Sequence, residues 1–215
     1  MAIAVDLTSS TTGANVTSVT AQHICTGTAT NGILIIAVQS SDGTAAERII
    51  STVTHNDETC SHLAADSDDG TSLRTEIWYR LNPTAGGTPS IIVTAAGKCT
   101  DLSYGAISLT GVNSASAPAE LQAGSGSSTA PSISITTVGT SSYAIDSMAI
   151  AEATGTTIAA VHTAIHKTDV GADVHGSQYV DAGGAGAQTM NYTDSSPSAS
   201  WVMYAVAVQV ASAGP

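Results

Sequence analysis

The chain has 215 residues, of which 42% are hydrophobic and 10% charged, and its formal net charge at pH 7 is -12. Five residues are basic, and because they do not cluster in the sequence, the chain has neither the lysine and arginine patch that binds a nucleic-acid backbone nor one that would hold an anionic membrane. No segment approaches the roughly 18 consecutive apolar residues of a membrane-spanning helix. Phe is absent, so a core must be built from aliphatic side chains around Trp78 and Trp201.

The first third of the chain predicts strands. Residues 1–13 are apolar and then rich in Thr and Ser, which predicts an extended N-terminal arm before a single β-sandwich domain at 14–215. Residues 16–24 alternate loosely, as a first strand does. Residues 33–38 form a continuous apolar run, which is typical of a central strand covered on both faces. Residues 49–55 alternate, and the sequence at 55–58 predicts a turn into the next strand.

The rest of the chain repeats this organisation. Residues 113–131 are rich in Ser, Ala, Gly and Pro, which predicts a crossover between halves or an exposed loop. No segment has convincing helical periodicity, since even residues 156–166 are rich in β-branched side chains. Further strands are predicted at 132–138, 143–151, 156–166, 174–180, 187–193 and 201–210.

One pattern occurs twice, at 77–112 and at 178–210. Each copy has an aromatic strand, a turn containing Gly-Gly, a short strand, a polar loop and a long apolar strand, and each follows a buried-looking strand. The repeat predicts two similar halves, at about 31–112 and 139–210, that share one core. The predicted fold is all-β, an antiparallel two-sheet sandwich of the jelly-roll type.

The cysteines do not indicate a disulfide framework or a zinc site. Cys25, Cys60 and Cys99 are odd in number and lie far apart, with no Cys-x-x-Cys spacing. They are predicted to be free, buried thiols, and a bridge between Cys60 and Cys99 is left open as the alternative.

Two groups of residues invite a metal interpretation. Asp66, Asp68 and Asp69 precede Gly70, but the spacing does not match an EF-hand, so a solvated acidic turn is favoured over a calcium site. His162 and His166 would lie about 13 Å apart on a strand, which is too far for one ion. The sequence therefore predicts no metal and no cofactor.

No pattern of catalytic residues stands out. There is no Gly-x-Ser-x-Gly elbow and no phosphate-binding loop. Of the carboxylates Glu47, Glu76, Asp146 and Glu152, only Asp146 interrupts an apolar strand, and it is expected on the solvent side of that strand. No catalytic residue is predicted, and the chain is not expected to be an enzyme.

The segment 77–87, followed by 91–94 and 105–112, resembles a recurrent β-sandwich module of tailed-phage virion proteins that also occurs in bacterial surface proteins. Residues 32–38 and 201–210 extend the resemblance over most of the chain. It implies a jelly-roll-like sandwich in a particle coat or surface assembly, and it carries over no catalytic residues.

The sequence therefore favours a virion structural protein, a capsid cement or decoration protein docked on the outside of a phage head. Because residues 1–10 lack the pattern of a secretion signal, the protein is expected to assemble in the host cytoplasm and to end on the capsid surface. Its expected partners are the major capsid protein and copies of itself in a homo-oligomer. The predicted contact residues are Met1, Ile3, Val5, Leu7, Pro118 and Leu121.

Two other functions stay open. A carbohydrate-binding or adhesive module of a tail fibre or cell surface would use Trp78, Tyr79 and Trp201 as a platform for sugar rings, although these residues lie within apolar strands. A hydrolase on the same scaffold is the third, since a fold does not determine a function.

Overall fold

The computed structural model describes residues 2–27, 30–41, 44–115, 117–139, 141–151, 158–170, 173–194 and 199–210. This part of the chain consists of antiparallel strands and contains no helix, so the predicted all-β fold is confirmed. It accordingly contains no helix that could cross a membrane. The strands are β1 (Ala4–Gln22), β2 (Gly32–Ser41), β3 (Ile50–His55), β4 (Glu58–Thr59), β5 (Ser61–Asp68), β6 (Leu73–Leu81), β7 (Ser90–Thr110), β8 (Glu120–Ser128), β9 (Ser132–Thr137), β10 (Ser142–Ala151), β11 (Ile158–Ala160), β12 (Thr163–Val170), β13 (Asp173–Asp181), β14 (Gly186–Asp194) and β15 (Ala199–Gln209).

Two long strands organise the first half of the molecule. β1 pairs with β7 along its whole length, from Ala4 opposite Thr110 to Gln22 opposite Ser90. On its other side, β7 pairs with β3 near its start and with β2 near its end. The paired strands β1 and β7 therefore contribute to two layers. Residues 101–110 of β7 belong to a five-stranded layer in the order β1-β7-β2-β6-β5, and residues 91–95 belong to a small layer with β3 and β4.

The N-terminal residues do not extend away from this body. The segment predicted as an arm at 1–13 is the first part of β1, from residue 4 onwards, and the strand continues past residue 13 to Gln22. The polar loop predicted after Ile91–Val93 is also strand, because β7 runs through it without a break. Threonine is favoured in strands, and serine is tolerated there at a sheet edge. The polar composition of these two segments therefore did not distinguish a strand from a loop.

The second half repeats this topology strand by strand. Its five-stranded sheet has the order β8-β15-β10-β13-β12, and a separate three-stranded sheet has the order β9-β14-β11. Thus β8 and β9 together correspond to β1, and β14 and β15 together correspond to β7. The registers agree as well, since Ile35 lies opposite Tyr79 in one half and Ile145 lies opposite Tyr179 in the other.

The alternation of β2 and β10 distributes the core into three layers. Leu34, Ile36 and Val38 point into a core made only of first-half residues, whereas Ile33 and Ile35 belong to a core shared with the second half. In β10, Ala144, Met148 and Ile150 likewise point into a second-half core, and Tyr143 and Ile145 into the shared one. Residues of both halves thus form one common core, and each half also encloses its own.

β8 is a strand where the sequence predicts a crossover or loop. Its composition is rich in glycine because the indole of Trp201 packs closely against its backbone. A Cβ atom at Gly126 would lie 2.9 Å from Trp201 Cζ2, and one at Gly124 would lie 2.7 Å from Ile133 Cγ2. The glycines that indicate a loop in the sequence are thus required by packing inside a sheet.

The two halves approach each other most closely at Gly105 in β7. A Cβ atom there would overlap Ser177 Oγ and lie 2.8 Å from His166 Cβ, both in the opposite half. The register of the second half places Tyr204 at the corresponding position, where its buried ring belongs to the shared core. The interface therefore has a tight side at Gly105 and a side filled by a large ring at Tyr204.

We expect Gly105→Ala to lower the free energy of unfolding by about 1–3 kcal/mol, because the added methyl group has no space between the halves. Urea denaturation measures this change. Gly184→Ala is the matched control, since a Cβ atom there meets nothing within 4 Å. The double variant Gly105→Ala/Ser177→Ala should recover part of the loss, and equal stability of Gly105→Ala and Gly184→Ala would contradict the close approach.

Candidate functional site

The most unusual ionisable group is Asp146, which is wholly buried in β10. Its carboxylate accepts three hydrogen bonds: from Tyr192 Oη at 2.7 Å, from the backbone N of Gln178 at 3.1 Å and from Gln178 Nε2 at 2.9 Å. Burial raises the pKa of Asp146 to about 7, and the three donors act in the opposite direction. The carboxyl therefore titrates near neutral pH.

The orientation of Gln178 is fixed independently of Asp146. Its Oε1 accepts the backbone N of His162 at 2.9 Å, and its Nε2 also donates to the carbonyl of Asn191 at 2.9 Å. The amide therefore cannot flip without breaking both bonds. Asp146 lies on the same face of β10 as Ala144 and Met148, which belong to the core inside the second half. The expectation that Asp146 faces solvent is therefore wrong.

The register shows what Asp146 replaces. Because Ile145 corresponds to Ile35 and Tyr179 to Tyr79, Asp146 and Gln178 occupy the positions that Ile36 and Trp78 have in the first half. Ile36 and Trp78 are part of an apolar core there. The second half has a hydrogen-bonded polar group in the same layer, and no cleft reaches it, since Asp146 has no exposed surface.

A second buried polar group joins the two halves. Gln39 Nε2 donates to Ser147 Oγ at 2.7 Å and to the carbonyl of Gly176 at 3.1 Å, which ties β2 to the second half. Ser103 Oγ lies 2.9 Å from Gln39 Oε1 and 2.8 Å from His175 Nδ1. All of these side chains are fully buried. The Ser103–His175 pair resembles a nucleophile and its base, but no substrate has access to it.

Ion pairs hold one end of the first half together. The guanidinium of Arg48 is fully buried and donates to the carbonyl of Thr71 at 2.8 Å, and it lies 3.4 Å from Asp68. Arg74 contacts Asp68 at 3.2 Å and Glu76 at 2.7 Å. Glu76 Oε2 also accepts the indole N–H of Trp78 at 2.9 Å. Asp68 and Glu76 are thus paired with arginine, as charged groups in a protein interior normally are.

The metal interpretations gain no geometric support. Asp69 Oδ1 accepts the backbone N–H groups of Thr71, Ser72 and Leu73 at 2.8 to 2.9 Å, so its carboxylate closes a turn. The backbone of Asp66 is in β5, but its side chain lies outside the described part of the structure, as does Glu152. Among the side chains that are described, no three His, Cys, Asp or Glu residues are grouped to hold a metal ion.

Four histidines, His23, His55, His166 and His175, and all three cysteines are buried. Burial lowers the pKa of His166 to about 4 and that of His175 to about 3. The three cysteines are free and buried, as predicted, so the alternative bridge between Cys60 and Cys99 is not formed. Burial raises the pKa of Cys60 to about 12 and that of Cys99 to about 11, which makes both poor nucleophiles.

The predicted contact residues occupy different environments. Ile3 is buried in the shared core, Val5 is half-buried against it, and Leu7 is exposed on β1. Met1 lies outside the described residues. Half-buried Leu121 packs on the same core. Half-buried Pro118 borders a small cleft of about 160 Å³, lined by Ile33, Asn113, Ala117, Pro118, Ala119, Ala207, Val208 and Gln209.

The aromatic residues do not form a common platform. Trp78 and Trp201 are 7% and 9% exposed and lie in the separate cores of the two halves. His62 stacks on Trp78, with ring centroids 4.8 Å apart, and the backbone of β8 covers Trp201. Tyr79 is half-buried against the shared core. The structure brings none of the three predicted stacking residues together.

The chain has a net charge of -12, and its three arginines are all paired with acidic side chains. Arg48 and Arg74 belong to the ion-pair group described above, and Arg80 pairs with Glu58. The remaining two basic residues of the chain, Lys98 and Lys167, are exposed. The described surface therefore offers a partner few cations that are not already paired with an acid.

Comparison with known proteins adds no assignment. No known protein family matches the chain, and neither a curated protein nor a solved structure matches it.

The buried carboxyl makes a prediction about pH. Between about pH 4 and pH 7 the native state keeps a proton on Asp146 that the unfolded chain has released, so this group makes stability fall as pH rises. The buried histidines act with the opposite sign, because their lowered pKa values make stability fall as pH drops below about 6.5. The contribution of Asp146 is therefore measured as a difference from Asp146→Asn.

We expect the wild type to lose on the order of 2–3 kcal/mol relative to Asp146→Asn between about pH 5 and pH 8, measured by urea denaturation. At the acidic end the variant should be less stable by about 1–3 kcal/mol, because its amide brings two N–H donors where the protonated carboxyl brings one O–H, and the additional donor would face a donor of Gln178. Asp169→Asn, at an exposed site, is the control and should run parallel to the wild type. A constant difference between wild type and Asp146→Asn would contradict the raised pKa.

Proposed function

We propose that this chain is a structural protein of a virus particle, a cement or decoration protein that docks on the outside of a phage head and stabilises it. The observation that carries the proposal is the distribution of charge. The arginines are used in ion pairs, while a net charge of -12 remains for the whole chain. Such a surface favours docking onto a basic or polar shell and disfavours nucleic acid.

The internal architecture supports the same proposal. The described ionisable groups with strongly shifted pKa values, such as Asp146 and His175, are buried and serve the packing of the halves. The described clefts include a volume of only about 160 Å³ at Pro118, which suits one side chain of a partner better than a substrate. The resemblance of residues 77–87 and 105–112 to virion modules points the same way.

The proposed contact region is the crossover between the halves. Pro118 borders the cleft and Leu121 follows at the start of β8, while Ala117 and Ala119 are exposed beside them. An aliphatic side chain of the major capsid protein entering this cleft would lie against Ile33 and Val208. Acidic residues elsewhere on the surface would then interact with the shell at longer range.

The direct test is co-sedimentation of the purified chain with shells assembled from the major capsid protein of the same virus. We expect saturable binding at a fixed stoichiometry and a higher temperature of shell disruption. Binding should weaken several-fold between about 0.05 and 0.3 M salt, because the attraction is electrostatic at long range. Folded protein that fails to bind shells at any salt concentration would refute the proposal.

A pair of variants locates the contact. Ala117→Arg/Ala119→Arg should abolish shell binding, since it places two bulky cations at the cleft. Ala159→Arg/Ala187→Arg adds the same charge at exposed positions of the outer three-stranded sheet and should leave binding unchanged. Thermal unfolding of both variants in isolation controls for misfolding.

The carbohydrate-binding alternative has no comparable support from the geometry. It needs an accessible aromatic platform, and Trp78 and Trp201 are covered core residues of different halves. A glycan array probed with the folded wild-type chain measures this directly. Sugar binding that is lost in Tyr79→Ala, with the fold retained, would revive this function.

A further inference from the structure

β1 forms a long edge of the first five-stranded sheet, and no strand among the described residues pairs with its outer side. β1 pairs with β7 on one side only, and none of its backbone groups makes a backbone hydrogen bond to any other part of the described chain. Its pairing with β7 is regular from Leu7 to Ala14, between register shifts at Val5/Leu7 and Val16/Ser18. Over about eight residues, or roughly 26 Å of strand, alternate residues therefore direct their N–H and C=O groups away from β7.

Between its two register shifts this long edge lacks charged side chains and prolines, two of the devices by which proteins normally prevent edge-to-edge pairing. Residues 7–22 contain no charged residue and no proline. The one acid of β1, Asp6, is engaged by the backbone N of Thr26 at 2.9 Å and by Ser108 Oγ at 2.9 Å. The other three edges of the two five-stranded sheets all carry charge, namely Asp68 in β5, Glu120 in β8 and both Lys167 and Asp169 in β12.

We propose that β1 pairs antiparallel with β1 of a second copy of this chain, so that two five-stranded sheets join across a twofold axis. The sequence of the edge favours a second copy as the occupant, because residues 8–12 all carry hydroxyl groups and can pair with the same residues of another chain. Two molecules that each carry -12 repel one another over most of their surface, and the uncharged stretch of β1 is a place where they can approach. This pairing does not require the shell, so it stands apart from the proposed docking function.

The register follows from symmetry. Residues directly opposite each other in an antiparallel pair point to the same face. A twofold axis between the two strands must therefore place one residue opposite the same residue of the other copy. An axis at Ser10 places Thr8 opposite Thr12, and Ser9 opposite Thr11, so that every central pair consists of hydroxyl-bearing residues. Such pairs are favourable in antiparallel sheets. The same register covers Leu7, which is 37% exposed in the single chain, with Gly13 of the other copy.

The two Asp6 carboxylates do not oppose this arrangement. In the register centred on Ser10, each Asp6 lies opposite Ala14 of the other copy, and the two acids are separated by roughly 26 Å along the strands. That distance exceeds the Debye length of about 8 Å at physiological salt, so their repulsion is screened.

Sedimentation equilibrium over about 1–500 µM protein tests the proposal, and we expect a reversible dimer in the wild type. Thr8→Lys/Thr12→Lys should weaken the dimer at least tenfold, because the new cation at position 8 of each copy would face the one at position 12 of the other. Thr8→Lys/Thr12→Glu should restore it, since the same register then makes two pairs of opposite charge. Both positions are exposed and lie about 13 Å apart within one chain, so the fold should be unaffected.

Thr136→Lys/Thr189→Lys is the control, because it makes the same change in net charge on the outer face of the second half. It should leave the dimer unchanged. A wild type that is monomeric over the whole range would overturn the proposal. So would a dimer that Thr8→Lys/Thr12→Lys does not weaken, that the control weakens equally, or that Thr8→Lys/Thr12→Glu fails to restore. Shell binding is measured separately, and its failure would leave this result standing.

Discussion

β2 and β10 are covered on both faces, and the rest of the molecule is arranged around them. Each strand directs alternate residues into the core of its own half and the others into the core between the halves. A chain without Phe has few bulky side chains, so it must bury aliphatic residues in several thin layers to gain enough apolar contact. Three layers, separated by sheets and built mainly of aliphatic side chains with Trp or Tyr rings in each, meet that need.

The two halves have the same topology but differ in the composition of their own cores. In the first half, Ile36 and Trp78 fill the layer between the sheets, and in the second half Asp146, Gln178 and Tyr192 fill it by hydrogen bonding. Every oxygen of the carboxylate is satisfied, which limits the cost of its burial. A group of this kind specifies one arrangement of β10, β13 and β14, because a slip in register would leave it unpaired.

The elements that the sequence predicts well are those whose pattern reflects burial alone. The apolar run at 33–38, the alternation at 132–138 and the turn at 55–58 all correspond to observed elements, β2, β9 and the β3–β4 connection with Asn56 and Asp57 at positive φ. The repeat was readable for the same reason, since the turns and strands that define it keep their order in both halves.

The elements that it does not predict depend on contacts with other parts of the chain. β8 looks like a loop because only a neighbour, Trp201, explains its glycines. The side of β10 on which Asp146 lies could not be read from alternation, since both faces of that strand are buried and a polar residue on either face needs a partner distant in sequence. Gln178 and Tyr192, the partners in question, have no local signal that links them to Asp146.

The same duplication determines where other molecules can make contact. The broad faces of the two five-stranded sheets are used against each other, and the smaller outer sheets expose hydroxyl groups such as those of Thr52, Thr94, Ser134 and Thr189. Flat hydroxyl faces are well hydrated and release little free energy when covered. For the two proposed associations, this favours contacts through backbone groups at sheet edges and through the crossover between the halves. β1 and β8 occupy equivalent edges, yet β8 has nine residues and begins with Glu120, whereas β1 has 19 residues and carries no charge from Leu7 to Gln22, so the two equivalent edges differ in length and in charge.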